Sequence, residues 1–482
     1  MENSIGIVSF GVYLPAYRLS RKVIAAATGG YPRRGEKAVA NYDEDALTMG
    51  VNASLECLDN YFRSWDTAVD HSKLGALLFT STSSPYLEKQ AASVIGDVLE
   101  VNPSALITDL NGSLRGALTA IEIGKTFLTQ NNDMRQAVIV ASDRRPAEPG
   151  SAEEQAFGDG AAALLLGRGD TMAQIEASHA TNANFTHFWR RESDPFVQSG
   201  DQRFVNNLGY TPLMSKVIGD LIKKVDLSAE NISKLVAYAP NPRLLNGLAK
   251  KLGFNAETQI AETLSGSIGD SGTAQVLISL INVLSKAQPG DNIIVAGYGD
   301  GAEALFLKVT ENIERAKKCR PVKAHLERKR SLNSYAKYLN FRDITAESSY
   351  DAFTSLPLLW RESKQNMRLY AVKCRACQAI HFPQRRVCHS CGTKDQMDPF
   401  KLNRRGKIYT YTNDYLYLNP DPPGSLAAID LDEGGRFFGQ MTDTDPQEIK
   451  IGMAVELSFR KLHDGQNFPN YFWKAVKAMG RE

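Results

Sequence analysis

The sequence predicts an α/β domain made of two similar halves, followed by a metal-binding ribbon and a small all-β barrel. Short β-rich runs alternate with helical stretches through the first 310 residues, a pattern typical of a buried sheet with helices on its faces. Several of these runs recur in the same order later in that region. Two C-x-x-C pairs and then five β-rich segments, separated by Gly, Pro and Asp, follow toward the C-terminus.

The α/β prediction for residues 1–310 is supported by an internal repeat. Three pairs of segments share their apolar pattern and their order: 74–80 with 234–240, 138–142 with 293–297, and 159–166 with 300–307. A duplicated α/β unit is the simplest explanation of such self-similarity. In folds of this kind, ligands bind where the halves meet and where strands turn into helices.

Residues 311–366 differ from their neighbours, and we assign them to a basic linker and docking segment. Residues 311–330 are rich in Lys and Arg, which is typical of a solvated helical connection. The alternative is a patch that binds a phosphorylated cofactor or an acidic partner. Residues 355–360 (Ser-Leu-Pro-Leu-Leu-Trp) have the apolar character of a docking segment.

Residues 367–397 contain four cysteines in two C-x-x-C pairs, which are Cys374, Cys377, Cys388 and Cys391. Two such pairs supply the tetrahedral four-thiolate shell of structural zinc. Two disulfides are the less favoured alternative, because nothing else in the sequence is typical of a secreted protein. A closed four-cysteine site has no open position for substrate, so we expect a structural metal, with His381 and His389 at the surface.

Residues 398–482 are predicted to form a small barrel. The region has five β-rich segments: 406–412, 425–431, 436–441, 454–459 and 471–476. Five short strands divided by turn residues indicate a closed all-β domain. Some barrels of this size bind oligonucleotides, but nucleic acid is not favoured here, because acidic residues balance the basic ones.

The composition gives no case for membrane or nucleic-acid binding. The formal net charge is +2, and 43% of the residues are hydrophobic, which is ordinary for a protein with a conventional core. We find no apolar run of transmembrane length and no secretion signal, so we expect a cytoplasmic protein with reduced thiols. Of the two remaining cysteines, Cys57 is expected to be buried in a helix and Cys319 to be exposed.

Three motifs in the α/β region resemble a known superfamily. Residues 158–163 (Gly-Asp-Gly-Ala-Ala-Ala), together with the duplicated halves, resemble the thiolase-like condensing enzymes. Residues 42–49 (Tyr-Asp-Glu-Asp-Ala-Leu-Thr-Met) and 188–192 (Phe-Trp-Arg-Arg-Glu) are similar to the archaeal and bacterial type of hydroxymethylglutaryl-CoA synthase. The resemblance implies a duplicated thiolase-like fold over residues 1–310 and, by analogy, a homodimer.

The C-terminal region resembles a second family. The motifs are Cys374-Arg-Ala-Cys, Phe382-Pro, Cys388-His-Ser-Cys-Gly and Gly406-Lys-Ile-Tyr-Thr-Tyr-Thr. They are similar to those of the zinc-ribbon plus OB-fold proteins that partner thiolases and acyl-CoA synthases. This resemblance implies a zinc ribbon at 367–397, an OB-fold domain at 398–482, a coenzyme A thioester as substrate and a thiolase-like partner subunit.

The resemblance also implies where a catalytic site lies, although the family's own catalytic residues are absent. The family uses a cysteine nucleophile with a histidine and an asparagine. In the matching motifs Ser113 takes the place of the cysteine, Tyr238 that of the histidine and Asp270 that of the asparagine. The synthases' glutamate base would fall near Ser81 or Thr82, and neither is a carboxylate.

Three functional hypotheses follow, because a serine without a histidine beside it is a poor acyl acceptor. In the first, Tyr238 and Asp270 handle protons while main-chain N–H groups near Ser113 and the turn at Gly299 and Gly301 polarise a thioester carbonyl. That set suits aldol or retro-aldol chemistry on a CoA thioester. In the second, Ser113 carries the acyl group as in a synthase. In the third, the domain is a non-catalytic acyl-CoA-binding scaffold for a thiolase partner.

Each candidate residue also has a structural explanation. Ser113 fits a helix N-cap, Tyr238 a core aromatic residue, and Asp270 a turn residue. Arg243 and Lys250 are candidates for contacts with CoA phosphates, with a solvated helix face as the alternative. His187 is expected to be structural.

Overall fold

The computed structural model describes residues 4–131, 133–345, 352–416 and 419–480. It divides into two compact units. The first consists of Met1–Ala40 and Asp45–Tyr335, and the second of Asn41–Glu44 and Ala336–Glu482. In the described residues no helix is long and apolar enough to cross a membrane. The predicted boundaries at 310, 366 and 397 stay predictions.

The first unit is built from alternating strands and helices. Its strands are β1 (Ile5–Tyr13), β2 (Tyr17–Ser20), β3 (Glu36–Val39), β4 (Leu74–Ser81), β5 (Leu106–Asn111), β6 (Gln136–Arg144), β7 (Asp159–Arg168), β8 (Ala173–Asn182), β9 (Phe188–Trp189), β10 (Gln198–Ser199), β11 (Lys234–Ala237), β12 (Asn292–Tyr298), β13 (Gly301–Val309) and β14 (Arg330–Ser331). Its helices are α1 (Arg21–Thr28), α2 (Ala46–Trp65), α3 (Ala91–Val98), α4 (Gly116–Gln130), α5 (Ala152–Ala156), α6 (Gln202–Phe204), α7 (Thr211–Lys224), α8 (Pro242–Lys251), α9 (Ser265–Ile268), α10 (Gln275–Leu284) and α11 (Val322–Glu327). Short 3-10 turns cover His71–Lys73, Ala229–Asn231, Gly272–Ala274 and Glu311–Lys318, and a π-helical segment, Val205–Tyr210, joins α6 to α7.

The central sheet confirms the internal repeat. Its strand order is β11-β12-β13-β8-β1-β7-β6-β4-β5. Reading outward from the middle, β8 corresponds to β1, β13 to β7, β12 to β6 and β11 to β4. The strand directions also agree between the halves. In one half β4 is parallel to β6, and β6 is antiparallel to β7. In the other half β11 is parallel to β12, and β12 is antiparallel to β13. The predicted pairs of segments therefore occupy equivalent positions in the sheet.

The sheet is buried because its strands are apolar on both faces. β4, β6, β7, β12 and β13 are almost entirely buried, and α4 and α10 contribute to the same core. The edge strand β5 is only half-buried. It leads directly into the turn that holds Ser113 and then into α4, so this part of the candidate site lies between a strand end and a helix start.

The basic segment after β13 belongs to the first unit and is packed against α2. Arg320 and His325 contact the buried carboxylate of Glu56 at 2.8 and 3.0 Å. Apolar side chains on the inner face of the segment, including Ile313 and Val322, are buried. The expectation of an exposed thiol at Cys319 is wrong, because this residue lies on the same inner face and is 7% exposed.

The second unit contains a small three-stranded ribbon and a five-stranded antiparallel sheet. Its elements are α12 (Tyr335–Phe341), α13 (Leu356–Arg361), α14 (Ser363–Asn366), β15 (Tyr370–Cys374), β16 (Ile380–His381), β17 (Met397–Lys401), β18 (Arg405–Asp414), β19 (Gly424–Leu431), β20 (Arg436–Gln440), β21 (Ala454–Gly465) and β22 (Phe468–Lys477). The larger sheet has the order β20-β19-β18-β21-β22. A bridge between Met441 and Ala475 brings its two edges together, so the five predicted strands close as a barrel does.

A buried ion network organises the second unit. The Arg460 guanidinium, which is fully buried, lies 3.0 Å from Asp43, 2.8 Å from Glu44 and 2.5 Å from Asp443. Lys474 pairs with Asp43 at 3.0 Å. Buried charges persist when each has partners. Here two of the three carboxylates, those of Asp43 and Glu44, come from residues 41–44, which explains why this short segment belongs to the second unit.

Candidate active site

The Ser113 turn lies between β5 and α4. The helix begins at Gly116, and its cap residue is Arg115, without a side-chain capping bond. The Ser113 hydroxyl instead donates to the Gly299 carbonyl oxygen at 3.1 Å. Ser113 is therefore not a helix cap. Its proton is directed at a main-chain carbonyl rather than at an imidazole, so the hydroxyl has no base that would activate it.

The turn between β12 and β13 approaches the Ser113 turn very closely. A Cβ atom on Gly299 would lie 2.9 Å from Ser113 Oγ, 3.0 Å from the Leu114 amide nitrogen and 3.2 Å from that of Arg115. Gly301 has a φ of +119°, and a Cβ there would lie 2.1 Å from the Thr181 carbonyl oxygen. Both glycines are required by the backbone: one allows two turns to touch, and the other adopts a conformation open mainly to glycine.

Tyr238 and Asp270 form a direct hydrogen bond. Tyr238 follows β11, is 3% exposed and donates its hydroxyl to Asp270 Oδ2 at 3.0 Å. The other carboxylate oxygen of Asp270 accepts from the Gly272 amide at 3.0 Å. Burial, reinforced by the negative charge of Asp270, raises the pKa of Tyr238 well above its usual value. The phenol therefore keeps its proton and acts as a hydrogen-bonding group.

Arg145, the residue that follows β6, completes this cluster and was not identified from the sequence. Its guanidinium Nη1 lies 2.8 Å from Asp270 Oδ2, and the residue is 1% exposed. The guanidinium carbon lies 3.5 Å from the ring centre of Phe157 and 4.7 Å from that of Phe188, so two aromatic faces cover the buried cation. The sequence does contain a signal for this residue, because the three charged residues 143–145 come at the end of the apolar run 137–141.

Asp143 holds the strand ends around this cluster. Its fully buried carboxylate accepts hydrogen bonds at 2.7–3.0 Å from the Ser81 hydroxyl, the Thr82 amide and hydroxyl, and the Ser83 hydroxyl. The other carboxylate oxygen accepts from the Thr273 amide and hydroxyl at 2.8 and 3.0 Å. Ser81 and Thr82, where a synthase would place its base, serve here as donors to a structural carboxylate.

The two parts of the candidate site are connected through two tyrosines. Tyr210 donates its hydroxyl to the Tyr238 carbonyl oxygen at 2.9 Å. Its ring packs edge-on against Tyr298 at 5.4 Å, and Tyr298 immediately precedes Gly299. The structure thus links the Ser113–Gly299 contact to the Tyr238–Asp270–Arg145 cluster.

The predicted phosphate contacts lie apart from these groups. Arg243 and Lys250 are both on α8, at its first and last turns, and both are exposed. Among the described residues, neither makes an ion pair, and no contact joins them to Ser113, Tyr238 or Asp270. Their assignment to CoA phosphates stays a prediction.

The two cysteines of the first unit are not available as nucleophiles. Cys57 is fully buried in α2, as predicted. Burial raises the pKa of its thiol far above the usual value and raises that of Cys319 to about 11. Both thiols stay protonated at neutral pH, whereas the thiolate is the reactive form. The remaining four of the chain's six cysteines belong to the ribbon.

The four ribbon cysteines fit a zinc ion. The sulfur atoms of Cys374, Cys377, Cys388 and Cys391 all lie within 4.8 Å of one another. Cys374 and Cys391 are 3.7 Å apart, and Cys377 and Cys388 3.5 Å, near the ~3.8 Å between thiolates at the corners of a tetrahedral site. The expectation of a surface position for His381 is wrong. It is 2% exposed, and its Nε2 lies 3.2 Å from Cys388 Sγ, close enough to donate to a metal-bound thiolate.

Comparisons with known proteins match both parts of the chain. Residues 361–396 match the family model described as "ChsH2, rubredoxin-like zinc ribbon domain", and residues 401–460 match "ChsH2, C-terminal OB-fold domain". A hydroxymethylglutaryl-CoA synthase of Aeropyrum pernix is 32% identical over 351 residues, 71% of this chain and 95% of that protein. The synthase of Methanobrevibacter smithii is 28% identical over 347 residues, 70% of this chain and 98% of that protein.

A solved structure shows the same fold. MvaS in complex with 3-hydroxy-3-methylglutaryl coenzyme A superposes with a TM-score of 0.63 at 19% identity, and covers 74% of this chain and 95% of that one. The thiolase-like α/β fold, the zinc ribbon and the OB-fold domain predicted from the sequence are thereby confirmed.

Proposed function

Since the chain belongs to the hydroxymethylglutaryl-CoA synthase family, we propose that it is an enzyme that forms or cleaves a carbon–carbon bond in a CoA thioester without a cysteine nucleophile. The observation that supports this most directly is the Tyr238–Asp270–Arg145 cluster. A half-buried carboxylate that is paired with a buried guanidinium and accepts from a buried, protonated tyrosine is a costly arrangement for a domain with no chemistry to perform.

Each group has a separate task in this proposal. Tyr238, which stays protonated, relays a proton between the oxygen on the β-carbon of the substrate and Asp270, and gives up one proton as it takes the other. Asp270 holds the tyrosine hydroxyl at 3.0 Å, and Arg145 fixes Asp270 in turn. The main-chain N–H groups after Ser113 stabilise the negative charge that develops on the thioester oxygen.

Two further assignments complete the proposal. Arg243 and Lys250, both exposed on α8, bind phosphates of the CoA as solvated cations. The zinc held by the four cysteines is structural, since its fourth ligand position is filled by a thiolate, and it stabilises a ribbon too small for a large apolar core. We further propose a homodimer, by analogy with thiolase-like domains.

The test is a panel of 3-hydroxyacyl-CoA esters incubated with the purified protein, with release of acyl-CoA and a carbonyl compound followed by mass spectrometry. Tyr238→Phe should lower turnover at least tenfold while the protein stays folded, because it removes only one hydroxyl. Iodoacetamide should leave the activity intact as long as the zinc stays bound. Loss of activity on thiol blocking, with the zinc retained, would refute a cysteine-independent reaction.

Two alternatives give different results in the same experiments. If Ser113 carried the acyl group, incubation with acetyl-CoA would add one acetyl mass to the peptide that contains it. The hydrogen bond from Ser113 to Gly299 argues against this. If the domain were a scaffold for a thiolase partner, Ser113→Ala, Tyr238→Phe and Asp270→Asn would all leave the partner's activity unchanged.

A further inference from the structure

His187 is a half-buried polar side chain beside the candidate site, and its Nδ1 atom has no hydrogen-bond partner among the described residues. It immediately precedes β9, and its ring stacks on Phe188 with the centroids 3.8 Å apart. Phe188 covers the Arg145 guanidinium at 4.7 Å, and Arg145 pairs with Asp270. Only two side chains, those of Phe188 and Arg145, therefore lie between His187 and the Asp270 carboxylate.

A second unsatisfied group lies next to His187. The Nδ1 atom of His187 and the hydroxyl oxygen of Tyr298 are both buried and lack hydrogen-bond partners within the described residues. Their rings are 5.7 Å apart, and Tyr298 is 1% exposed. Leaving a buried polar group unsatisfied costs about 1–3 kcal/mol. Two such groups side by side indicate a place where a ligand supplies the missing partners.

The backbone around these two groups is also irregular. The π-helical segment Val205–Tyr210 passes beside Tyr298, and a Cβ on Gly209 would lie 2.5 Å from the Tyr298 hydroxyl and 2.3 Å from the Phe185 ring. π-helical turns within α-helices are frequent at functional sites. Here the irregular turn and its glycine leave room for the tyrosine hydroxyl.

The three side chains assigned to the candidate site from the sequence do not have the properties of a base. Asp270 accepts three hydrogen bonds and is paired with Arg145. Tyr238 keeps its proton, and the Ser113 hydroxyl donates to a carbonyl. A reaction through a thioester enolate nevertheless requires a group that takes a proton from the α-carbon.

We propose that His187 is the catalytic base that exchanges this α-proton, with Tyr298 as the hydroxyl that contacts the substrate beside it. The inference rests on the proposed function and adds a residue to it. The imidazole replaces, from a different segment of the chain, the carboxylate base that is missing near Ser81 and Thr82.

The electrostatic surroundings keep the ring neutral and able to accept a proton. Burial, followed by the positive charge of Arg145, lowers the pKa of His187 to about 4, against a smaller opposite effect of Asp270 and Glu153. At neutral pH the imidazole is therefore uncharged and carries a free lone pair. The same burial and positive charge disfavour its imidazolium, so the negative charge of the enolate formed beside it has to stabilise the transferred proton.

In the condensing direction, each proton and each electron pair can be followed from one atom to the next. His187 takes the α-proton, and the electron pair of that C–H bond becomes the enolate. The enolate carbon forms the new bond to the carbonyl carbon of the second substrate, whose π electrons move to oxygen. That oxygen takes a proton from Tyr238, and the tyrosine regains one from solvent, to which the imidazolium releases its own, so the enzyme ends as it began. Cleavage is the reverse.

The experiment is exchange of the α-protons of acetyl-CoA and propionyl-CoA in D₂O, followed by mass spectrometry. His187→Gln and His187→Ala should slow exchange at least 100-fold, within the range for losing a general base. Added imidazole should restore part of the exchange in His187→Ala, which a structural role would not produce. His179→Gln is the matched control and should exchange at the wild-type rate. His179 is half-buried and lies 3.6 Å from Asp220 on the surface of the same domain.

The possible failures are distinguishable. If the wild type exchanges α-protons and both His187 variants do so at the same rate, the assignment of His187 is overturned and the proposed function stands. The assignment is also overturned if His187→Ala exchanges α-protons slowly and is not rescued by imidazole, while His187→Gln exchanges them at nearly the wild-type rate. If the wild type exchanges no protons and cleaves no ester of the 3-hydroxyacyl panel, both proposals fall together.

Discussion

Replacing Asp270 by Asn should destabilise the first unit by about 3 kcal/mol, and replacing Arg145 as well should recover most of that loss. The Arg145 guanidinium is 1% exposed and pairs with Asp270 at 2.8 Å. Removing one partner of a buried ion pair costs about 3–5 kcal/mol, because the other charge stays buried without compensation. We take the lower end, since Phe157 and Phe188 still cover the cation, which is worth about 1–2 kcal/mol.

The double variant Arg145→Met/Asp270→Asn leaves no unpaired charge. Methionine occupies a similar volume against the two aromatic rings, and asparagine still accepts from the Gly272 amide. We therefore expect the double variant to be more stable than the sum of the two single changes by at least 2 kcal/mol, within the range of coupling energies between contacting residues.

Hydrogen exchange measured by mass spectrometry is the suitable assay, because it reports on the first unit separately from the second. Peptides covering β6 and α10 should lose roughly 100-fold in protection in Asp270→Asn, which corresponds to about 3 kcal/mol. Protection should return in the double variant. If the double variant lost as much as the two single variants together, the buried pair would not be the source of the cost, and the account of this cluster would be wrong.

Three other outcomes follow from the structure. Burial alone would raise the pKa of Glu56, but the positive charges of His325 and Arg320 outweigh it and lower this pKa to about 2. The Glu56 carboxylate therefore contributes about 3 kcal/mol to the unfolding free energy above pH 4.5, and this contribution is lost as the pH falls toward 2. The difference in unfolding free energy between wild type and Glu56→Gln should shrink over that range, and a constant difference would contradict this. Metal analysis should find one zinc ion per chain. The Cys374→Ser variant should bind no zinc, and its ribbon should unfold, which faster hydrogen exchange in β15 would show. If the ribbon were equally protected from exchange without the metal, the prediction would be wrong. Gly299→Ala should lower activity at least tenfold, because its Cβ would displace the Ser113 turn, whereas Gly247→Ala, which has nothing within 4 Å, should leave activity unchanged and stabilise α8 by about 1 kcal/mol.

The sequence was sufficient to predict the sheet, because its strands are buried on both faces and therefore read as continuous apolar runs. β4, β6, β11 and β12 were recognised in this way. β5 was not recognised as a strand, because this half-buried edge strand contains Asp109, whose carboxylate accepts from the amides at the start of α3 at 2.8 Å. A strand that is partly solvated and ends in polar residues has no distinctive pattern.

The basic segment after β13 shows a different limit of sequence reasoning. Its many lysines and arginines suggested a solvated linker, but only the lysines are exposed, whereas the arginines are half-buried against the first unit. The buried positions, Ile313, Ala316, Cys319, Val322 and His325, recur at intervals of three along the segment. This spacing was visible in the sequence, but the charge density outweighed it. The partner of His325, Glu56, is 269 positions away, so no local pattern could indicate that contact.

The candidate site combines residues that the sequence could and could not reveal. The resemblance to condensing enzymes indicated Ser113, Tyr238 and Asp270, but it treated each as an isolated replacement. Physically they are not independent. An aspartate at position 270 adds a buried negative charge where the family has a neutral amide, and such a charge requires a counter-ion.

Arg145 supplies that counter-ion from another strand, and it is covered in turn by Phe157 and Phe188, the second of which stacks on His187. These residues therefore form one continuous set of contacts that extends from Asp270 to the imidazole of His187. It follows that restoring a single family residue, for example Asp270→Asn, should not move the protein toward synthase activity. That change would leave Arg145 without its partner in a site that still has no cysteine thiolate.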